Sequence, residues 1–229
     1  MLDLHGYGWM LMEGLKVTLL VGICSLALAM VFGLLAAWAK LSGSKAVRRI
    51  AETYTIVIRG IPELVLILLI YYGSSTLVLR VSEALGAKVR LDLDPFTSGV
   101  ITLGFIYGAF TTEVFRGAFL AVPVGQIEAA KASGMNKVLR FRRIVLPQMM
   151  RYALPGLGNV WMVLIKATAL MSAIQAEELV RKAEIAAGAT REPFTFYFAV
   201  LLIFLAITLV SMQIMRLLEG WSERGVRRA

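Results

Sequence analysis

Residues 15–39 read LKVTLLVGICSLALAMVFGLLAAWA, with one charge, Lys16, close to the start of the run. A helix needs about 20 mostly apolar residues to cross the hydrocarbon core of a bilayer, so this stretch is read as a transmembrane helix. Working outward, further apolar stretches occupy residues 54–79, 97–121, 152–174 and 195–218. The chain is therefore expected to be an all-α membrane protein, a single domain over residues 1–229 with five transmembrane helices. Its composition agrees: 59% of residues are hydrophobic and the mean hydropathy is +0.76, against about 45–50% apolar residues in a soluble globular domain. The start, MLDLHGYGWMLMEGLK, carries Asp3 and Glu13 but no basic residue before Lys16. The apolar run that follows exceeds the ~7–15 residues of a signal-peptide core. The first segment is expected to stay in the mature protein.

The connections at 40–53, 80–96, 122–151 and 175–194 set the orientation. One side holds Lys40, Lys45, Arg48 and Arg49, then Lys131, Lys137, Arg140, Arg142, Arg143 and Arg151, then Arg216, Arg224, Arg227 and Arg228. The opposite side holds Arg80, Lys88, Arg90, Arg181, Lys182 and Arg191 among the acids Glu83, Asp92, Asp94, Glu177, Glu178, Glu184 and Glu192. Lys and Arg accumulate on cytoplasmic loops, so the first side is read as cytoplasmic, the N-terminus as outside and the C-terminus as cytoplasmic. Topology thus accounts for the net charge of +9, and no nucleic-acid partner is needed. A single cysteine, Cys24, excludes an intramolecular disulfide or a cysteine metal cluster and is expected to be a packed, inert thiol. The lone His5 is assigned no role.

The longest cytoplasmic connection contains QIEAAKASGMNKVLRFRRIVLP over residues 126–147. It predicts a short helix over 127–133, a stop at Gly134 and a second amphipathic piece ended by Pro147. Glycine is favoured just past a helix end because it tolerates positive φ, and proline cannot continue the helical ladder. Such a compact projection suits docking of a partner. Gly104 and Gly108 have the Gly-x-x-x-Gly spacing that lets helices approach closely, and Pro155, Gly156 and Gly158 loosen the start of the fourth span.

Glu128, Ala129 and Ala130, then Gly134, then Ile144, Leu146 and Pro147 match at each signature position the EAA motif of bacterial ABC-importer permeases. The stretches RGIPEL (59–64), GFIYGA (104–109), EVFRGA (113–118), VPVGQ (122–126) and KATAL (166–170) extend that resemblance over nearly the whole chain. They are similar to the polar amino-acid permeases, most of all to Q-type subunits of histidine and lysine/arginine/ornithine importers, whose relatives also include opine importers. The resemblance implies a type I ABC importer in the bacterial inner membrane. Its pore would be formed by this chain and a second permease, an M-type sister or a second copy. A cytoplasmic ATPase dimer would sit beneath, and a periplasmic amino-acid-binding protein would deliver the substrate. Residues 128–134 would be the coupling helix seated in the ATPase. No Gly-x-x-x-x-Gly-Lys-Ser/Thr loop for cradling phosphates occurs in the chain, so ATP is expected to be bound by the partner and this subunit to need no cofactor of its own.

Ionisable groups inside a span cost about 2.5–3.5 kcal/mol on insertion scales and mark candidate sites. Glu63 is placed ~15 Å from the cytoplasmic edge, at mid-membrane and beside the break expected at Pro62. The substrate hypothesis has it face the pathway and pair with a cationic amino acid. The structural alternative is an ion pair with Arg59, four residues away, or with Lys166. Tyr107 and Trp161 fall near the same depth, as pathway lining or as packing. Asn159 is expected to hydrogen-bond within the bundle, Glu113 and Arg116 to form a structural pair, and Lys166 to hold a substrate carboxylate or to act in a gate or in packing. An ion-coupled secondary transporter with Glu63 as its relay is the rival from another class.

Overall fold

A computed structural model describes residues 4–85 and 94–222. Asp3, Lys88, Arg90, Asp92, Arg224, Arg227 and Arg228, used in the charge reading above, lie outside the described residues. The helices are α1 (Gly8–Leu41), α2 (Lys45–Gly60), α3 (Glu63–Ala84), α4 (Pro95–Leu120), α5 (Val124–Ala132), α6 (Lys137–Arg140), α7 (Leu146–Ala167), α8 (Leu179–Thr190) and α9 (Pro193–Ser222). A π turn, Phe141–Val145, joins α6 to α7, and a 3₁₀ stretch, Thr168–Ile174, extends α7. Five helical segments are long and apolar enough to cross a membrane: α1, α3, α4, the run Lys137–Ile174 and α9.

The core is built on the contact of α1 with α4, the most extensive between any two elements. The two helices run parallel, with Ser25 beside Val100 and Gly33 beside Thr111. Glycine makes the approach possible. A Cβ on Gly104 would lie 2.7 Å from Leu28, one on Gly108 2.7 Å from Phe32, and one on Gly33 2.1 Å from the Thr111 hydroxyl. At this distance side-chain hydroxyls reach backbone: Thr111 Oγ1 donates to the Ala29 carbonyl at 2.7 Å. The Gly-x-x-x-Gly pair therefore packs against α1.

Three sequence expectations change. The second span runs over Glu63–Ala84 rather than 54–79, because the break expected at Pro62 separates it from the residues before. Ile61 is extended (φ −107°, ψ 138°), because the proline ring that follows disfavours the helical region for its predecessor. The chain breaks there into the amphipathic α2, which buries Ala51, Thr55 and Ile58, and the apolar α3. Pro147 does not end a helix. The π turn before it bonds the Leu146 N–H to the Phe141 carbonyl, a wider ladder that accommodates a residue with no N–H, and the helix runs on to Ile174. Cys24 is exposed rather than packed, because the outward face of a transmembrane helix is apolar without being buried.

The connection at 175–194 holds α8, which packs Leu179, Ala183, Ala186 and Ala187 against Leu11 of α1 and Phe196 of α9. Its anchor is Glu178, fully buried, whose carboxylate accepts the N–H groups of Val180 and Arg181, each at 2.8 Å. The Leu179 N–H donates to Thr18 Oγ1 on α1, and Gly14 lies directly against the Leu179 backbone. Burial pushes the Glu178 carboxyl from its ordinary 4.5 up to about 7, against the lowering effect of its two N–H donors and with a further upward push from Glu184. Because the folded value is the higher one, this group's contribution is full below about pH 4.5 and is lost as pH rises through 7. Thermal unfolding in detergent is expected to show a loss on the order of 3 kcal/mol between pH 4 and 8 that Glu178→Gln removes. An unchanged pH profile in that variant would contradict the assignment.

Candidate translocation and coupling sites

Pro62 and Glu63 lie where the chain leaves α2, and Glu63 is the first residue of α3. A carboxylate at a helix N-terminus is favoured by the aligned peptide dipoles. The Tyr107 hydroxyl, on the wholly buried middle of α4, donates to Glu63 Oε1 at 3.0 Å. Glu63 itself is half-buried, and among the described residues it forms no ion pair. The two structural alternatives are therefore not realised. The Arg59 guanidinium lies over the Phe110 ring at 5.2 Å, and Lys166 is exposed on α7 without a partner among the described residues. A half-exposed carboxylate, held through one oxygen by a buried phenol at the depth of the α4 midpoint, can receive a cation through the other.

The remaining candidates do not gather at that point. The Trp161 indole donates to Ser211 Oγ on α9 at 2.9 Å, and its ring lies against Gly22 of α1, so it ties three helices together. Asn159 is exposed and makes no hydrogen bond among the described residues, contrary to the expectation of one inside the bundle. Its helix explains why. Tyr152, Pro155, Asn159, Val163 and Lys166 recur at three- and four-residue steps and form one exposed stripe along α7. Hydrocarbon is a poor neighbour for an amide and an ammonium, so this stripe suits a water-filled path or a protein partner.

Toward the C-terminal end of α4, Glu113 pairs with Arg116 at 2.9 Å, as the i,i+3 spacing suggested. Its second partner, which no local spacing signals, is Lys40 at the end of α1, whose Nζ is 2.5 Å from Glu113 Oε1 and also donates to Thr55 Oγ1 of α2 at 2.6 Å. This cluster locks α2 onto the α1–α4 pair. Lys40, a loop cation by its sequence position, is a structural one because α1 continues to Leu41.

The coupling loop folds on local signals. α5 runs Val124–Ala132 and ends in a left-handed Gly134, φ +75°. The Gly134 N–H donates to the Lys131 carbonyl at 3.0 Å and the Met135 N–H to the Ala130 carbonyl at 3.1 Å, a complete Schellman cap. Asn136 then caps the next helix through the Leu139 N–H at 2.8 Å. Within this projection Glu128 and Ala129 are exposed, whereas Ala130 is buried. Ile127 and Leu146 pack on the cluster of Ala37, Phe115, Val122 and Met149. Ile144 is half-buried, and Pro147 is exposed on the first turn of α7. The knob is thus tied to the bundle through Ile127 and the π turn while it presents Glu128 and Ala129 outward.

Residues 29–224 match the model of the binding-protein-dependent transport system inner membrane component. The chain belongs to that family. It is 49% identical to the histidine/lysine/arginine/ornithine transport system permease protein HisQ of Salmonella typhimurium over 99% of both chains. It is 44% identical to the octopine transport system permease protein OccQ of Rhizobium radiobacter, over 97% of this chain and 94% of the relative. Among solved structures it matches an amino acid ABC transporter with histidines, with a TM-score of 0.79, 32% identity and coverage of 93% and 94% of the two chains. The methionine transporter MetNI, 19% identical, shares the fold with a TM-score of 0.66. As a transport component of an inner membrane, this permease is not an enzyme, and its five apolar helical segments lie in the bilayer.

Glu113→Gln removes the anion from a mostly buried Lys40 and is expected to cost about 1–3 kcal/mol, read as a lower unfolding temperature in detergent. Arg116→Gln, at a more exposed position, should cost less than about 1 kcal/mol. Equal effects of the two changes would rule out the inter-helix lock.

Proposed function

We propose that this permease forms half of the translocation path of an ABC importer for basic amino acids (histidine, arginine, lysine or ornithine), with Glu63 as the pathway carboxylate that receives the substrate's cationic group. The observation that carries the reading is the Tyr107-held, half-exposed carboxylate, level with the middle of α4 and on the break between α2 and α3. Broken helices lining a cavity are a recurrent way for transporters to bring polar groups to a midplane site. The relatives named for histidine, lysine, arginine and ornithine support the choice of cargo. The α7 stripe, with Asn159 and Lys166, borders the same path or the second permease subunit, Lys166 being suited to a substrate carboxylate. Tyr107 positions Glu63, and Trp161 holds the helices around it.

The N-terminus faces the periplasm and the C-terminus the cytoplasm, as the distribution of Lys and Arg supports. A periplasmic binding protein delivers the amino acid, and a partner ATPase dimer binds and hydrolyses ATP. The α5 knob, with Glu128 and Ala129 outward and the Gly134 cap behind, is the surface that meets the ATPase. Closure of the ATPase pushes α5. Because Ile127 of α5 packs on the cluster that α1, α4 and α7 share, the push is passed to these spans and alternates access to Glu63 between the two sides. The second permease is an M-type sister subunit.

An opine cargo is the second reading, supported by the 44% identity to OccQ, close to the value for HisQ. Two measurements test these proposals. In reconstituted importer, Glu63→Gln is expected to lower uptake of arginine or histidine at least about tenfold, equivalent to roughly 1.4 kcal/mol, while subunit assembly is unchanged. Normal transport by that variant would remove Glu63 from the path. Separately, ATP hydrolysis by the assembled complex is expected to rise with loaded binding protein for basic amino acids and less for octopine. Stimulation by octopine alone would select the opine reading, and uptake driven by an ion gradient without ATPase would select a secondary transporter.

A further inference from the structure

A cavity of about 490 Å³ opens between the first turns of α7 and the last turn of α9, lined by Pro147, Met150, Arg151, Leu154, Leu218 and Trp221. Its lining is mostly apolar: Ser222 at the rim donates to the Glu219 carbonyl at 2.8 Å, and the one charged group is Arg151, which is half-buried and makes no hydrogen bond or ion pair among the described residues. The acid of this part of α9, Glu219, belongs to a separate cavity with Asn159, Met212 and Arg216. From this geometry we infer that the Arg151 cleft is a binding site for an anionic phospholipid. The phosphate would be held by the Arg151 guanidinium and an acyl chain laid along Met150, Leu154 and Leu218.

Three observations select a lipid. The first is depth. Both helices reach the end of their apolar stretch here, and Trp221 is 69% exposed beside the cleft, the level at which tryptophan meets headgroups. The second is direction. At 100° per residue, the cleft-lining side of α7 lies roughly 130° from the polar stripe of Tyr152, Asn159 and Lys166. The cleft therefore opens away from the face suited to the path or the second permease. The flanking α9 buries little of itself within the chain and exposes Leu201, Leu205, Leu209 and Leu217, a face for hydrocarbon. The third is charge. A guanidinium offers a planar fork of N–H donors that fits phosphate with two bonds, and Arg142 and Arg143 at the start of the same helical run reinforce the positive field. Basic pockets between membrane helices at this level are known lipid headgroup sites. The site stands whichever amino acid is transported.

The test uses the full chain in its assembled importer, stripped of endogenous lipid and titrated with dioleoyl phosphatidylglycerol while retained lipid is counted by native mass spectrometry. Dioleoyl phosphatidylethanolamine and glycerol 3-phosphate form the comparison arms. Retention of phosphatidylglycerol is expected to exceed that of phosphatidylethanolamine about tenfold, with no competition from glycerol 3-phosphate, which lacks the chains. Arg151→Gln should lower retention at least about fivefold, and Leu154→Trp should do so by filling the cleft while leaving the charge in place. Equal retention of the two lipids, displacement by glycerol 3-phosphate, or wild-type retention in both variants would overturn the site. Loss of the partner subunits in both variants would overturn it too, because the cleft would then be a protein contact.

Discussion

The close parallel contact of α1 with α4 is the constraint on which the other features rest. In hydrocarbon, helices gain little from burying apolar surface against one another, so they associate through close packing and backbone-directed hydrogen bonds. Gly33, Gly104 and Gly108 remove the side chains that would hold the two axes apart, and Thr111 then reaches the Ala29 carbonyl. The same closeness brings Lys40 to Glu113 and lets α2 dock, with the Tyr54 hydroxyl donating to the Phe105 carbonyl at 2.6 Å. Once α2 is fixed on this frame, the break at Ile61–Pro62 has a fixed place, and Glu63 is delivered to Tyr107.

The break also sets how polar groups are tolerated. A carboxylate in the middle of a continuous span would face a full desolvation cost. At the first turn of α3 it has instead the dipole of the helix behind it and a phenol donor beside it. α3 beyond the break is the span least buried within the chain. It meets the α1–α4 frame near its start, where Leu66 and Ile67 join the core of Val21, Leu103 and Ile106.

The molecule has two kinds of outward face, and their chemistry differs. α1 and α9 expose almost continuous aliphatic surface, with Trp9, Trp38 and Trp221 toward their ends. The exposed stripe of α7 instead carries tyrosine, asparagine and lysine. A bilayer explains the first and cannot explain the second. The chain is thus one part of a larger wall, with lipid behind it and a polar space or partner in front.

Much of this was legible along the chain. Five apolar runs identify the membrane spans because apolar length alone meets the requirement of the bilayer, and the Gly134 stop is readable because positive φ and a following Asn cap are local properties. Glu63, Tyr107 and the Glu113–Arg116 pair could be singled out because charge and polar groups inside a span stand out against their surroundings. Only the tertiary structure decided which polar groups meet. Lys40 pairs with Glu113 and Tyr107 with Glu63 across more than forty residues of chain, contacts that follow from the separation of helices and leave no trace in local pattern. α8 was missed because its buried face is mostly alanine and its anchor, Glu178, reads as an ordinary loop acid until burial is known. The passage of the helix through Pro147 was likewise hidden, since a π turn is a response of the backbone to packing on both sides. Sequence determines what a segment can tolerate; the partners across the bundle determine what it does.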